Sequence, residues 1–215
     1  MNVVRVLPAT GRLRQVLRAL STRRRYSTTS SDKAIRMMQT RRETITIRRI
    51  GLNEVDIFRR IRLEALACEP EAFASTFEEW ALMSDEEWRS RLKEPIFVAF
   101  EGHIPVGLIG LLRERPGRMA HRASVVMVYV HATLRGCGLA KSLLDTVKKF
   151  GRNAGLRQLE LSVKAENSPA IRFYQREGFV EVGRIPAGYL DHGREIDDVL
   201  MVCRLVSDQE AAGET

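Results

Sequence analysis

The sequence reads as a single mixed-sheet α/β domain, and three observations carry that reading. Short apolar, β-branched runs alternate with helical stretches between residues 44 and 206. Gly, Pro and capping residues fall between these runs rather than inside them. The length of 215 residues suits one such domain plus an appendage.

In chain order, Thr44-Ile45-Thr46-Ile47 alternates polar and apolar residues and reads as a first strand. Val55, Ile57, Phe58, Ile61, Leu63 and Leu66 define a helix over about 53–68. Phe73, Phe77 and Trp80 imply a bent helical stretch. Ser84-Asp85-Glu86-Glu87 is a capping box that opens a helix through about Leu92. Residues 96–100 and 104–112 are strands flanking the hairpin turn Glu101-Gly102-His103. Residues 113–122 form a basic loop. The run 124–130 is strongly apolar and β-branched, the pattern of a central strand buried on both faces. A helix over about 137–150 follows, its buried stripe made of Leu139, Leu143, Leu144, Val147 and Phe150. Residues 159–163 are the next strand. Ser168-Pro169 opens another helix, with Ser168 as N-cap and Pro at N1, and Gly178 closes it. Residues 179–182 and 199–206 are the last strands. Residues 27–43 read as a polar linker and 207–215 as a polar tail.

The net charge of +8 and a pI of about 9.9 raise the question of an anionic partner. The charge is concentrated at one end. Residues 1–26 hold seven Arg (Arg5, Arg12, Arg14, Arg18, Arg23, Arg24, Arg25) and no acid. Taking those seven from 35 basic residues leaves 28 against 27 acidic ones, so the remainder is nearly neutral. Leu13, Val16, Leu17 and Leu20 fall on one helical stripe, and Ser27-Thr28-Thr29-Ser30-Ser31 follows. A basic, acid-free amphipathic helix before a Ser/Thr stretch is the composition of an organelle transit peptide. Arg24-Arg25-Tyr26-Ser27 resembles a mitochondrial processing site cut after Tyr26. The expected address is the mitochondrial matrix, with the chloroplast as the alternative. A basic RNA-binding arm is a rival reading of the leader, and it needs the leader to be retained. The near-neutral remainder gives no expectation of nucleic acid. No apolar run approaches the ~18 residues needed to cross a bilayer. Cys68, Cys137 and Cys203 match no zinc spacing, and no His clusters with them, so the expectation is a reduced chain without metal.

The most informative stretch is 128–140, a buried strand, a short loop, two glycines and a helix start. Glycines leave backbone N–H groups uncovered, and a helix N-terminus adds about half a positive charge. Together they form a site for a phosphate or pyrophosphate. A dinucleotide fingerprint fails because Lys141 stands where its third Gly belongs. A phosphate-binding loop of the Walker type fails because Ala140 precedes Lys141-Ser142.

A second constellation runs from Asn167 to Phe179. Arg135-Gly136-Cys137-Gly138-Leu139-Ala140 resembles the motif R/Q-x-x-G-x-G/A of the GNAT superfamily of N-acetyltransferases. Asn167 to Phe179 resembles that family's N-x-x-A-x-x-x-Y-x-x-x-G-F. The resemblance implies a mixed, mostly antiparallel twisted sheet of about six or seven strands flanked by about four helices. It also implies direct transfer of acetyl from acetyl-CoA to an amine.

By that resemblance, backbone groups of Arg135, Gly136, Cys137, Gly138, Leu139 and Ala140 hold the pyrophosphate. Edge groups of Val128, Tyr129 and Val130 bond the pantetheine arm like an added strand. Asn167 contacts the cofactor, and Tyr174 protonates the departing thiolate. The general base is open. Many relatives carry Glu where this sequence has Ser124, which leaves Glu160, His131 or ordered water. A GNAT-like module that binds CoA without turnover is the alternative function. The acceptor amine is not legible, and 70–94, 113–122 and 184–195 are the segments expected to select it. Monomer and homodimer both fit.

Overall fold

The computed structural model describes residues 45–205. The leader 1–26, the linker 27–43 and the tail 207–215 lie outside the described residues. Seven strands form one sheet in the order β1-β2-β3-β4-β5-β7-β6. They are β1 Ile45–Arg49, β2 Ile96–Glu101, β3 Ile104–Arg113, β4 Arg122–Val130, β5 Gln158–Lys164, β6 Val180–Asp191 and β7 Arg194–Arg204. Five α-helices occur among the described residues: α1 Val55–Cys68, α2 Phe77–Ala81, α3 Asp85–Arg91, α4 Leu139–Asn153 and α5 Ser168–Arg176. Every neighbouring pair of strands is antiparallel except β4 and β5. The expected mixed, mostly antiparallel sheet is therefore present, with one more helix than expected.

The apolar strand runs are continuous because both faces of the sheet are covered. On one face Phe97, Ala99, Ile109, Val125 and Leu161 meet Leu139, Leu143, Leu144 and Val147 of α4 and Tyr174 of α5. On the other, Ile96, Val98, Phe100, Leu108 and Tyr129 meet Phe58, Ile61 and Leu66 of α1 together with Trp80 and Trp88. Leu143 sits over Gly107, where an added Cβ would come within 3.1 Å of its Cδ1.

Local signals explain most helix starts. Ser84 Oγ accepts the Glu87 N–H at 3.3 Å, and the Glu87 carboxylate accepts the Ser84 N–H at 2.7 Å. A second capping box, Thr76 with Glu79, opens α2 and explains the bent stretch after Pro70. At α5 the N-cap is Asn167 rather than Ser168. Asn167 Oδ1 accepts the Ala170 N–H at 3.2 Å, which moves Ser168 into the first turn. Similarly, α4 begins at Leu139 with Gly138 as N-cap, not at Cys137.

Two strand expectations need correction. The last two strands are longer than the expected 179–182 and 199–206: residues 184–195 belong to the β6–β7 hairpin, joined at His192-Gly193, both with positive φ. β6 is the sheet edge, exposed along most of its length and twice irregular in register, so its sequence lacks the alternation of a half-buried strand. β4 is central, yet Ser124 and residues 126–128 are only half-buried. Its register with β3 shifts between Leu108 and Gly110, so Met127 and Val128 both oppose Ile109. This is a β-bulge, and Met127 takes φ +56 to make it.

Leu143 is fully buried where α4 meets β3. We expect Leu143→Ala to lose about 2–5 kcal/mol of stability, measured as a fall in the urea midpoint without a change in slope.

Candidate active site

β4 and β5 pair at only three positions, Arg122 with Gln158, Ala123 with Leu159 and Ser124 with Glu160. Beyond them β5 follows β7 and β4 follows β3, so the two strands part. A cavity of about 1020 Å³ runs along the parting. Residues 125–128 of β4 and 161–164 of β5 line it, as do Asn167, Ala170 and Tyr174. The backbone edge of β4 past Ser124 therefore carries no ladder to β5, a free template for an extended polar arm.

At the end of β4 the chain makes a short 3₁₀ turn, Ala132–Leu134, and enters α4 through Gly136 and Gly138. Their φ values are +77 and +88, the left-handed region that favours Gly. A Cβ built on Gly136 would meet nothing within 4 Å, so the turn faces open space. No side chain caps α4 and no acid lies in its first turn, which leaves the helix N-terminus positive and unserved by the fold. A hollow of about 330 Å³ beside it is lined by Arg135, Gly136, Gly138, Ala140, Lys141 and Arg176, among others. Glu177 also lines it but is engaged by Lys141 at 3.0 Å. The donor set fits a pyrophosphate. The Arg135 side chain is turned to the scaffold, where Nε donates to the Val130 carbonyl at 3.2 Å and Nη2 pairs with Glu69. The Cys137 thiol donates to the Leu134 carbonyl at 2.8 Å. The side chain of Tyr129 points into the core and donates to Glu64 at 3.1 Å, so only its backbone belongs to the cleft edge.

Tyr174 lies between Phe173 and Phe179, with ring centroids at 5.2 and 5.6 Å, and lines the large cavity. Burial pushes its phenol up to about 12, so it keeps its proton throughout the neutral range. Asn167 combines two positions, as the α5 cap and as part of the cavity wall.

Glu160 also lines the cavity, but Arg122 grips it with Nε and, at 2.7 Å, with Nη2. Gln158 donates to it at 3.1 Å. These bonds hold the Glu160 carboxyl below the usual range. His131 is not part of either lining. Its Nδ1 lies 2.9 Å from Thr133 Oγ1 and caps the 3₁₀ turn.

Two side chains absent from the sequence reading belong to the same cavity. Arg62 of α1 is 3% exposed, and Arg91 at the end of α3 lies beside it. Burial, then the nearby Arg91 charge, lowers Arg62 to about 10, so it remains cationic. The signal was present, because Arg62 occupies the i+4 place of the Phe58, Ile61, Ala65, Leu66 stripe.

Residues 58–179 match the model of the acetyltransferase (GNAT) family. Mycothiol acetyltransferase of Brachybacterium faecium is 32% identical over 125 residues, covering 55% of this chain and 38% of that protein. A putative phosphinothricin acetyltransferase of Bacillus subtilis is 28% identical over 103 residues, covering 46% and 63%. The chain thus spans less than two thirds of the length of either curated relative. A GNAT-family acetyltransferase structure from Streptococcus pneumoniae superposes with a TM-score of 0.67 at 20% identity, over 75% of this chain and 99% of that one. A putative acetyltransferase from Salmonella typhimurium, solved with its cofactor acetyl-CoA, gives 0.65 at 19% identity, over 76% and 95%. These two show the fold. With a glycine turn and a parted β4 and β5 in a sheet of that fold, and a family match across more than half its length, the chain belongs to the GNAT family of acetyltransferases.

Proposed function

We propose that the chain is an acetyl-CoA-dependent N-acetyltransferase acting directly on a primary amine. The observation that carries the reading is the cleft between β4 and β5, which ends beside an uncapped helix start and holds a buried phenol in its wall. Residues 136–140 would hold the pyrophosphate through backbone N–H groups, the Arg135 N–H being taken by the Ala132 carbonyl at 3.3 Å, and the free edge of residues 128–130 would bond the amide-bearing arm. Acetyl-CoA supplies an activated thioester: the amine nitrogen bonds to the carbonyl carbon, the C–S bond breaks, the nitrogen loses one proton and the sulfur gains one.

Tyr174 is the group we assign to the departing sulfur. Burial makes the phenol a reluctant donor of its proton. Its contribution is therefore a hydrogen bond that strengthens as charge develops on sulfur, with water completing the protonation. On the acceptor side, Glu160 is neutralised by Arg122 and His131 is tied into its own turn. We assign the amine's proton to water, which makes the neutral amine the reactive form. The same shortage of a free base supports the second reading, a CoA-binding module without turnover.

The leader's composition supports a mitochondrial address, which we retain as part of the proposal. Mass spectrometry of the N-terminus of the protein recovered from its native cell tests it. A start near Ser27 is expected, and a retained Met1 would instead favour the RNA-binding arm.

Activity is tested by release of free thiol from acetyl-CoA in the presence of an amine panel. Tyr174→Phe should lower kcat by about 10²-fold while acetyl-CoA affinity stays within about two-fold of the parent. Full activity in that variant would remove Tyr174 from the chemistry. With the parent, kcat/KM should climb with pH up to the amine's own pKa and show no break in the carboxylate range.

The Arg122–Glu160 pair has its own pH signature. Because the folded Glu160 value lies below the unfolded one, its stabilisation is present above the unfolded carboxylate range. It is lost as pH falls through the folded value. Arg122→Gln should therefore lower the urea midpoint at pH 7, and the gap to the parent should close as the solution is acidified.

A further inference from the structure

Arg62 interrupts an otherwise apolar face of α1. It is 3% exposed, and its Nε and Nη1 are shut from solvent with no hydrogen-bond partner among the described residues. The rings of Phe73 and Trp80 lie 4.6 and 4.4 Å from its guanidinium carbon. Those aromatic rings recover part of the cost of burying a cation. They do nothing for the N–H donors at its rim, and a buried charge without hydrogen bonds is strongly unfavourable.

Arg62 lines the large cavity, and so does Arg91, whose guanidinium stands 5.2 Å from the Trp80 ring. Four basic side chains line that cavity (Arg62, Arg91, Arg122, Lys164) against one acid, Glu160. Arg122 is spent on Glu160, and Lys164 on Asp191 at 3.2 Å. The Arg91 charge is partly met by Glu87, one helical turn before it, which leaves Arg62 as the cavity's unmatched cation. It lies on the side of the sheet covered by α1 and the tryptophans, whereas Tyr174 belongs to the other face. The parting of β4 and β5 connects them, since one cavity touches both.

We propose that Arg62, supported by Arg91, binds a carboxylate of the acetyl acceptor, so that the acceptor is a small amino-acid-like molecule carrying its primary amine near a carboxylate. The inference rests on the transferase reading above and adds its substrate class. A planar guanidinium between aromatic rings suits a carboxylate as its charged hydrogen-bond partner. The N-terminal amine of a peptide has an amide where this site requires an anion, so a peptide acceptor leaves the Arg62 donors unserved.

The test compares the twenty proteinogenic amino acids with their carboxamides as acceptors of the full chain, using thiol release. At least one acid should exceed its amide by about 30-fold or more in kcat/KM, since a site built around a buried donor rejects an analogue lacking the acceptor. Arg62→Met should bring that acid down to the level of its amide. If that variant does not fold, Arg91→Gln changes an exposed side chain and should still cost the acid about 3–10-fold while sparing the amide. Binding is read apart from turnover, as the thermal shift of the full chain with CoA present on adding N-acetylated amino acids or their amides. Selective stabilisation by the acids is expected. Acids and amides that bind and react alike, acids that do not bind, or acetylation confined to peptides would each overturn the carboxylate site. Selective binding of the acids with no thiol released from any amine would sink the transferase reading and leave the site standing.

Discussion

The structure turns on the early end of one strand pairing. A parallel pair in the middle of a sheet normally runs its full length, because each lost rung leaves polar backbone groups to satisfy. Here β4 and β5 keep three register positions and then part. Each keeps a ladder on its other side, β5 with β7 and β4 with β3, and each loses one on the side of the opening. β4 is left with a bare edge, and that edge is the one that leads into the glycine turn. The cavity, the access to Tyr174 and the passage between the two faces all follow from it.

The charges around this opening divide into two kinds. Arg122 with Glu160, Lys164 with Asp191 and Lys141 with Glu177 are internally matched, and they stiffen the walls without leaving a net field. The helix start at Gly138 and the guanidinium of Arg62 are unmatched. One is a backbone dipole in an open hollow and the other a side chain held between aromatic rings. On the reading proposed above, the first would meet the pyrophosphate and the second the carboxylate of the acceptor.

Much of this was legible in the sequence for physical reasons. Helices announced by capping boxes or by a 3.6-residue stripe, such as those around Ser84 and Leu143, were found because their signals are local. The glycine turn and Asn167–Tyr174 were found because each motif is contiguous. What escaped was whatever depends on partners distant in the chain. β6 lies at an edge and shows little alternation. Glu160 looks like a free base until Arg122, 38 residues earlier, is seen to grip it. Arg62 falls on the apolar stripe of its helix, but nothing local shows that Phe73 and Trp80 close over it. Sequence order alone does not reveal which charges are already spent.

The bulge in β4 has a geometric reach beyond its own two residues. Before it, Ala123 and Val125 face the α4 side; after it, Val130 does, while Tyr129 faces α1. Odd numbers point one way upstream and the other way downstream. Met127 thus acts as a phase shift in an otherwise two-fold repeat. The setting of the glycine turn relative to the sheet depends on that single inserted residue. Deleting one residue there, while keeping every motif intact, would invert which side of the sheet the strand's last residues serve. Motif spacing in this chain is therefore counted modulo two as well as in residues.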